Sequence, residues 1–228
     1  MEAFRTVQGE GAHTGRPSFF FRIGGCDVGC HWCDVKESWD AGKHPLTSLD
    51  AMLAHLGPND QTIVITGGEP LMWDMNPLTA ALKGAGKRVH LETSGAYPLT
   101  GSWDWVCLSP KKTKAPRSEW YAAAHELKVI VYNADDLRWA REHAAQCGPD
   151  CQLFLQPEWS KRDKPCRSSS ITWKNILNGA YRFRPINTLG CLEGRRAEGK
   201  KLQKVPEWKK PFYLTNPNPS WLRNPETT

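Results

Sequence analysis

Short apolar runs alternate with helix-like segments over the first 160 residues of this chain, and that alternation limits the fold more than any other feature. The runs are nearly continuously apolar, which is typical of strands that are covered on both faces of a parallel sheet. We predict strands at Ser18–Gly24, Thr62–Thr66, Arg88–Thr93, Trp105–Ser109, Leu127–Tyr132 and Gln152–Gln156.

Helical patterns fill the spaces between these strands. We predict helices near Ser48–Leu56, Asn76–Lys83, Glu119–Glu126 and Ala134–Gln146. Thr47 and Asp50 resemble a capping box that starts the first helix. Strand–helix alternation predicts an α/β fold with a parallel sheet, open or partly closed into a barrel. In such sheets the chemistry gathers at the carboxyl ends of the strands.

Three cysteines, Cys26, Cys30 and Cys33, follow the first predicted strand with C-x3-C-x2-C spacing. One short loop with this spacing can wrap three thiolates around a metal centre. A structural zinc site needs four ligands, and no second CxxC pair exists here, although His31 is a conceivable fourth ligand. A 4Fe–4S cluster normally takes four cysteines, so three would leave one iron open to a further molecule.

The chain carries five further cysteines, and their positions are scattered. A cytosolic protein keeps its thiols reduced, so the tight cluster indicates metal ligation rather than disulfides. We expect the scattered thiols to be inert, as small buried hydrophobes or surface groups. They are Cys107, Cys147, Cys151, Cys166 and Cys191.

The cysteine motif after a first strand resembles the signature of radical S-adenosylmethionine (SAM) enzymes. The resemblance implies an incomplete TIM-like β/α barrel, a 4Fe–4S cluster on the three cysteines, and SAM chelated to the open iron. The reduced cluster would cleave SAM and release a 5′-deoxyadenosyl radical that abstracts hydrogen from substrate, while the protein orients the cofactor.

A second motif, Thr66-Gly67-Gly68-Glu69-Pro70, follows the second predicted strand. It resembles the radical SAM segment that contacts the amino group of SAM. Glycines let the backbone approach a ligand closely, and Glu69 would supply an acceptor for an ammonium group. Alone this sequence would indicate an ordinary turn, but its place after a strand downstream of the cysteines favours the SAM site.

Further motifs narrow the resemblance to the 7-carboxy-7-deazaguanine synthase family over residues 2–163. They are Gln8-Gly9-Glu10-Gly11, Arg22, Cys33–Asp40, Glu92–Gly95, Ser109–Lys111 and Leu155–Trp159. The family consists of carbon–nitrogen lyases that contract the ring of 6-carboxy-5,6,7,8-tetrahydropterin, with loss of ammonia, on the way to queuosine and related deazapurines. The resemblance also implies magnesium, a homodimer, and an electron donor such as flavodoxin or ferredoxin.

Individual site residues follow from the same resemblance. The substrate would contact Val7, Gln8, Gly9, Arg22 and Thr93, with the Arg22 fork gripping its planar carboxylate. SAM would contact Trp32, Asp34, Gly67, Gly68, Glu69, Gly95, Ser109, Pro110, Lys111 and Gln156. Many relatives bind magnesium through a threonine hydroxyl at the position where this chain has Val35. A magnesium ion here would therefore be bound by substrate, water and backbone oxygens, or the enzyme would not depend on magnesium.

Charge and composition change near Lys164. Residues 1–163 carry 17 basic and 20 acidic residues, a net −3, whereas residues 164–228 carry 13 and 4, a net +9. These last 65 residues contain no Asp, seven Pro and only twelve Leu, Ile, Val or Phe, a composition in the disordered range. We therefore expect a core domain at 1–163 and a disordered basic tail at 164–228.

The tail also departs from the family, whose members end in a further helix and a strand near a Gln-Thr-His-Lys pattern. We hypothesise that the reading frame slips near Lys164–Pro165. Codons can be chosen that encode Pro165–Leu192 in the present frame. When the same bases are read two positions further on, they encode a peptide that resembles the family's ending and contains the Gln-Thr-His-Lys pattern. The gene's nucleotides decide the matter: the hypothesis is wrong if no single-base slip restores the ending.

Alternative functions remain open at this point. The chain could be a glycyl-radical activase, a zinc or iron–sulfur module with a basic arm for RNA, or a family member impaired by its tail. Nucleic-acid binding is not expected, because the basic charge belongs to the tail alone. No apolar run is long enough to span a membrane, and the N-terminus lacks the pattern of a signal peptide, so a cytoplasmic protein is expected.

Overall fold

A computed structural model describes residues 2–158 and 184–185 of the chain. Its strands are β1 Glu2–Val7, β2 Pro17–Ile23, β3 Thr62–Gly67, β4 Arg88–Thr93, β5 Trp105–Leu108, β6 Glu126–Val131, β7 Gln152–Pro157 and β8 Arg184–Pro185. Its α-helices are α1 Leu49–Ala54, α2 Asn76–Gly84, α3 Glu119–Ala123 and α4 Ala134–Ala144. Short 3-10 helices cover Gly11–His13, Lys36–Ser38, Ala41–Lys43 and Pro70–Met72.

The strands form one sheet in chain order, β1 through β8. Strand β1 runs antiparallel to β2, and every later pair is parallel. Parallel strands in chain order, most of them joined by helical crossovers, make an incomplete β/α barrel, as the sequence predicted. No helix among the described residues is long and apolar enough to cross a membrane.

The hydrophobic core lies between the outer face of the sheet and the helices. Alternate strand residues enter it because side chains on a strand alternate between the two faces. The strands contribute Phe19, Phe21, Ile63, Ile65, Val89, Leu91, Val106, Leu108, Leu127, Val129 and Leu155, and the helices contribute Leu78, Leu82, Trp120, Tyr121, Ala140 and Ala144. Burying a side chain of this kind stabilises the fold by roughly 1.5–3 kcal/mol, so this face holds the sheet together.

The inner face of the sheet differs from the expectation of strands that are apolar on both sides. Its buried or half-buried side chains include His90 and Glu92 of β4, Cys107 of β5, and Glu126 and Lys128 of β6. The polar inner-face residues were not recognised in the sequence, because they alternate with apolar outer-face residues and some inner-face positions are themselves Val or Ile.

The segment between β1 and β2 crosses this inner face at the amino ends of the parallel strands. The amide of Ala12 donates to the Glu126 carboxylate at 3.0 Å. The His13 ring lies 4.5 Å from the Trp105 ring and 4.6 Å from the His90 ring, centroid to centroid. Burial lowers the pKa of His90 to about 4, so its ring is neutral in this packing. This segment therefore covers one end of the barrel interior.

Several predicted boundaries are wrong in ways that have physical reasons. Strand β1 was not predicted, because it is an exposed edge strand without a buried apolar run. The helix predicted at Glu119–Glu126 ends at Ala123, since Glu126 already pairs with Cys107 as the first residue of β6. Helix α1 is capped by Ser48 rather than Thr47: the Ser48 hydroxyl accepts from the Ala51 amide at 3.2 Å.

The predicted disordered tail falls outside the described residues except at two positions. Arg184 and Pro185 pair with Phe154 and Leu155 of β7, parallel to that strand. Such a pairing gives the edge of β7 backbone hydrogen bonds.

Candidate functional site

The predicted site motifs meet at the carboxyl ends of four neighbouring parallel strands. The cysteine loop follows β2, Gly68–Pro70 follows β3, Ser94 and Gly95 follow β4, and Ser109–Lys111 follow β5. Because the carboxyl ends of parallel strands lie at one edge of the sheet, a single site can use all four segments.

The cysteine loop is held by backbone hydrogen bonds at its base. Gly25 donates to Ser38 O at 2.7 Å, and Cys26 donates to Trp39 O at 3.1 Å. Within the loop the amide of Cys33 donates to Cys30 O at 3.0 Å, which forms a turn between these two cysteines. The sequence between the cysteines thus folds back on itself.

Burial raises the pKa of Cys26 and of Cys30, and Lys111 acts against that rise at Cys30. Among the residues that the structure describes, no three His, Cys, Asp or Glu side chains are gathered closely enough to hold a metal ion, the loop cysteines included. The donor set nevertheless fits an iron–sulfur cluster, because soft thiolates are the ligands that such clusters take. His31 is exposed, with its ring 4.7 Å from that of Trp32.

The two glycines of the GGEP segment are required by close backbone packing. Gly67 has φ +150°, and a Cβ there would lie 2.2 Å from Ile23 O. A Cβ on Gly68 would lie 2.3 Å from Gly25 O, inside the cysteine loop. The amide of Glu69 donates to that same oxygen at 2.8 Å. The segment is therefore packed directly against the cysteine loop, at a distance that only glycine allows.

The Glu69 side chain is held by hydrogen bonds within the protein. It is only 1% exposed, and its carboxylate accepts from Thr93 Oγ1 at 2.6 Å, Ser94 N at 2.8 Å and Ser94 Oγ at 2.5 Å. The amide of Leu71 is a fourth donor, at 3.3 Å. A carboxylate has about four acceptor sites, so these bonds use its capacity. Glu69 thus ties the end of β3 to the end of β4.

Thr93 and Gly95 belong to the same hydrogen-bonded group. The Thr93 hydroxyl donates to Glu69 and accepts from the Gly95 amide at 3.0 Å, and Gly95 has φ +75°. Thr93 is predicted to contact substrate, and Gly95 is predicted to contact SAM. Both residues are held in place by hydrogen bonds that lead back to Glu69.

Lys111 lies between the end of β5 and the cysteine loop. Its Nζ donates to Ser109 O at 2.8 Å and to Ser109 Oγ at 2.6 Å. Burial lowers the pKa of Lys111, while the nearby Cys30 thiol acts in the opposite direction. A cation here would stabilise thiolate at Cys30, which a metal-binding cysteine requires.

A second lysine, Lys114, binds a side chain of the cysteine loop. Lys114 Nζ donates to the Asp27 carboxylate at 2.9 Å and to Tyr97 Oη at 3.1 Å, and it lies 4.2 Å from the centre of the Tyr97 ring. Asp27 stands next to Cys26, so this contact limits how far the first cysteine of the loop can move. No pattern in the sequence predicted this contact, because the partners are distant along the chain.

The predicted substrate residues are not all brought together. Val7 pairs with Pro17 at the start of β2, whereas Arg22 pairs with Glu2 at its far end. Five residues of strand separate these ends by about 16 Å. Gln8 is buried and donates to Ser18 Oγ at 2.9 Å, and Arg22 Nε donates to the Glu2 carboxylate at 2.7 Å. In this state the Arg22 fork already has a carboxylate partner.

A group of inner-face residues was missed as a candidate site. Lys128 Nζ donates to Glu10 at 2.9 Å and to Glu92 at 2.8 Å, and Gln156 Nε2 donates to Glu10 at 2.6 Å. We call Glu10, Glu92, Lys128 and Gln156 the inner tetrad. Only Gln156 was predicted to bind, as a SAM contact. Glu10 stands within the quoted Gln8–Gly11 motif, and a lysine inside an apolar strand was the available signal for Lys128.

The inner tetrad is a coupled charge cluster. The charge of Lys128 lowers the pKa of Glu10. Burial alone would lower the pKa of Lys128, but the acidic groups around it raise that pKa well above its ordinary value. The tetrad therefore places the side chains of two acidic residues and one lysine together on the inner wall of the barrel.

The remaining predicted residues lie on the cysteine loop itself. Trp32 is half-buried and Asp34 is exposed, both within a few residues of Cys33. Val35 is half-buried, and its carbonyl accepts from the Ser38 hydroxyl at 2.6 Å. No side-chain oxygen is available at that position.

Comparisons with known proteins agree with this arrangement. The family model of the radical SAM superfamily matches residues 21–106. The 7-carboxy-7-deazaguanine synthase of Flavobacterium psychrophilum is 59% identical over 164 residues, which cover 72% of this chain and 78% of that protein. That of Escherichia coli K12 is 38% identical over 190 residues, 71% of this chain and 85% of that protein. The crystal structure of QueE from Escherichia coli superposes with a TM-score of 0.67 at 29% identity, over 81% of this chain and 91% of that chain.

Proposed function

Since this chain belongs to the 7-carboxy-7-deazaguanine synthase family of radical SAM enzymes, we propose that it converts 6-carboxy-5,6,7,8-tetrahydropterin to 7-carboxy-7-deazaguanine with loss of ammonia. The observation that carries the proposal is a relative of that name at 59% identity. The meeting of the cysteine loop and the GGEP segment at one sheet edge agrees with it.

Cys26, Cys30 and Cys33 would hold the 4Fe–4S cluster. When bound, the cluster and SAM together supply the 5′-deoxyadenosyl radical that abstracts hydrogen from the substrate. The protein's part is to position them: Gly67 and Gly68 bring backbone close to the loop, and Glu69 fixes the neighbouring strand ends. With the Glu69 carboxylate fully bonded, backbone carbonyls of this segment are the acceptors that remain for the SAM ammonium.

The other proposed SAM contacts surround this edge. Lys111, which donates to Ser109, is close enough to Cys30 to influence its pKa, and Gln156 lies on β7. The full proposed set is Trp32, Asp34, Gly67, Gly68, Glu69, Gly95, Ser109, Pro110, Lys111 and Gln156. Backbone amides and carbonyls from several strand ends suit a ligand that carries both an amino and a carboxylate group.

The substrate would lie against the inner tetrad. A pterin ring carries N–H donors and a carbonyl oxygen along one edge, and carboxylates beside an ammonium offer complementary partners. Arg22 would exchange Glu2 for the carboxylate of the substrate, which is possible because Glu2 is exposed. Gln8 and Gly9 would place Glu10 against the ring, with Val7 and Thr93 at the margins of the site.

We extend the proposal to features that come from the family resemblance alone. These are a homodimer, a flavodoxin or ferredoxin as electron donor, and a location in the cytoplasm. Magnesium, if used, would rest on substrate, water and backbone oxygens, because Val35 has no side-chain oxygen. We also keep the division into a core domain at 1–163 and an atypical tail at 164–228, for which the change of charge and composition near Lys164 is the support.

Anaerobic turnover tests the proposal. The chain, reconstituted with iron and sulfide, receives dithionite, SAM, magnesium and 6-carboxy-tetrahydropterin, and products are identified by mass spectrometry. Formation of 7-carboxy-7-deazaguanine supports the proposed reaction. If 5′-deoxyadenosine forms without that product, the substrate assignment is wrong or the tail impairs the site; repeating the assay with a chain whose family-like ending is restored separates these two results.

A further inference from the structure

The first residue of β6, Glu126, is buried on the inner face of the barrel and belongs to none of the motifs identified in the sequence. Glu126 is 3% exposed. Its carboxylate accepts from the Ala12 amide at 3.0 Å, the Trp105 indole N–H at 3.3 Å and the Cys107 thiol at 3.6 Å. Ala12 lies in the segment between β1 and β2, whereas Trp105 and Cys107 belong to β5. Glu126 therefore joins that segment to β5 and β6.

The segment packs most closely against this carboxylate at Gly11. Gly11 has φ +69°, and a Cβ there would lie 2.0 Å from Glu126 Oε1. Gly15, in the same segment, has φ +87°, but a Cβ there would meet no atom of the described residues within 4 Å. The left-handed φ favours glycine at both positions, and contact with Glu126 is a second requirement at Gly11. The Gly11 backbone thus lies directly against the carboxylate.

Glu10 is attached to the same strand two residues further along. Its carboxylate accepts from Lys128 Nζ at 2.9 Å, and Lys128 lies on the same face of β6 as Glu126, because side chains on a strand alternate between the faces. Residues 10 and 12 of the segment therefore contact residues 128 and 126 of the strand. Two attachment points restrict rotation of the segment about either one. The position of Glu10 consequently depends on the hydrogen bond between Ala12 and Glu126 as well as on its own ion pair.

We propose that Glu126 is a positioning residue, which holds the segment against β6 so that Glu10 faces the pterin substrate in a fixed orientation. The inference rests on the proposed function, because that function assigns Glu10 to the substrate. Glu126 acts without touching the substrate. Its oxygens already accept from Ala12, Trp105 and Cys107. A group that is held in place before a ligand arrives favours binding, since less entropy is lost when the complex forms.

Four single variants separate this contact from the general effects of substitution. Glu126→Met removes the acceptor and keeps most of the volume, whereas Glu126→Gln keeps an oxygen that can accept from Ala12 and Trp105. Burial raises the pKa of Glu126, so the loss of its charge in the glutamine variant is a smaller change than at an exposed carboxylate. Gly11→Ala introduces left-handed strain and a clash with Glu126. Gly15→Ala introduces the strain alone and is the matched control.

Two measurements test the proposal on the full chain, reconstituted with iron and sulfide in the absence of oxygen. Hydrogen–deuterium exchange reports the protection of the Ala12 amide. Equilibrium dialysis gives the Kd of 6-carboxy-tetrahydropterin in the presence of SAM, without a reductant so that no turnover occurs. A separate dialysis gives the Kd of SAM, and circular dichroism checks that each variant is folded.

The variants should divide into two pairs. Glu126→Met and Gly11→Ala should lose the protection of the Ala12 amide and bind the pterin about ten- to hundredfold more weakly, which is the effect of losing one hydrogen bond to a charged group. Glu126→Gln and Gly15→Ala should keep that protection and stay within about threefold of the wild-type Kd. The Kd of SAM should be the same in all four variants and the wild type.

Three results would overturn the proposal. If Glu126→Met loses the amide protection but binds the pterin as the wild type does, the contact does not position Glu10. If Glu126→Gln binds the pterin as weakly as Glu126→Met, the charge of Glu126 acts directly rather than through the segment. If SAM binding weakens as much as pterin binding, the role of Glu126 is only structural. A wild-type chain that binds SAM but no pterin refutes the proposed function itself, and the positioning of Glu10 for that substrate is refuted with it.

Discussion

Replacing Lys128 by methionine tests whether the inner tetrad is one interdependent charge cluster. The Lys128 side chain is 8% exposed, and its ammonium is the common partner of Glu10 and Glu92. Methionine keeps most of the volume of the lysine stem and removes the charge. The variant therefore leaves two facing carboxylates without their cation, while the packing around the stem changes little.

The expected loss follows from the burial of the partners. Removing one member of a buried ion pair typically costs about 3–5 kcal/mol, because the remaining charge is left desolvated and unpaired. The Glu10 and Glu92 side chains remain 41% and 30% exposed, so water can compensate in part. We therefore expect a loss near the lower limit, about 3 kcal/mol in the free energy of unfolding. For a chain of this size that corresponds to a fall in Tm of roughly 6–12 °C.

Urea unfolding at a series of pH values measures this loss and tests its origin. Lys128 lowers the pKa of Glu10 in the folded protein. A lowered carboxylate pKa contributes stability that is present above the unfolded pKa, about 4.3, and is lost as the pH falls through the folded value. The gap between wild type and Lys128→Met should therefore be largest near pH 7 and should narrow below about pH 4.

Lys43→Met is the matched control. Lys43 is 73% exposed and pairs with Asp40 at 3.6 Å, so its loss should change stability by less than about 0.5 kcal/mol at any pH. The account of the tetrad is refuted if Lys128→Met loses less than about 1 kcal/mol at neutral pH, or if its gap from wild type widens on acidification.

Three further perturbations address the cysteine loop. Cys30→Ser should abolish reconstitution of the cluster, read as iron per chain and visible absorbance, whereas Cys107→Ser should retain it; equal iron in both variants would contradict the assignment. Gly68→Ala places a Cβ 2.3 Å from a loop carbonyl and should lose SAM binding, measured by equilibrium dialysis, while Gly84→Ala, with open space around its Cβ, should bind as the wild type does. Lys114→Met removes the hydrogen bond between Lys114 and Asp27 of the cysteine loop, so the reconstituted cluster should lose iron to a chelator several-fold faster. An unchanged rate would show that this contact does not restrain the loop.

The sequence predicted best where one physical rule acts alone. Strand β4 was predicted with both of its bounds, because Arg88–Thr93 is a short apolar run whose ends are set by neighbouring turns. The site motifs were placed at strand ends for a similar reason: the topology of a parallel sheet brings those ends together whatever the details of packing. The assignment of the three loop cysteines to a metal centre stays a prediction from their spacing.

The predictions failed where a partner distant in the chain decides the outcome. Strand β1 is ordered by its pairing with β2 rather than by its own burial. The sequence also did not show that the Thr93 and Ser94 side chains, one strand away, donate to the Glu69 carboxylate.

The inner face shows why such failures concentrate at the site. A sheet built only for stability would bury apolar residues on both faces, yet this one places Glu10, Glu92 and Lys128 together inside the barrel. The desolvation of these charges is offset within the protein by their mutual attraction before any ligand arrives. A ligand with complementary donors and acceptors would therefore meet groups that are already oriented, which reduces the entropy lost on binding. The residues that depart from the apolar strand pattern are thus the ones that we assign to recognition, and a charged residue inside a predicted buried strand is a signal to look for a binding surface on that face.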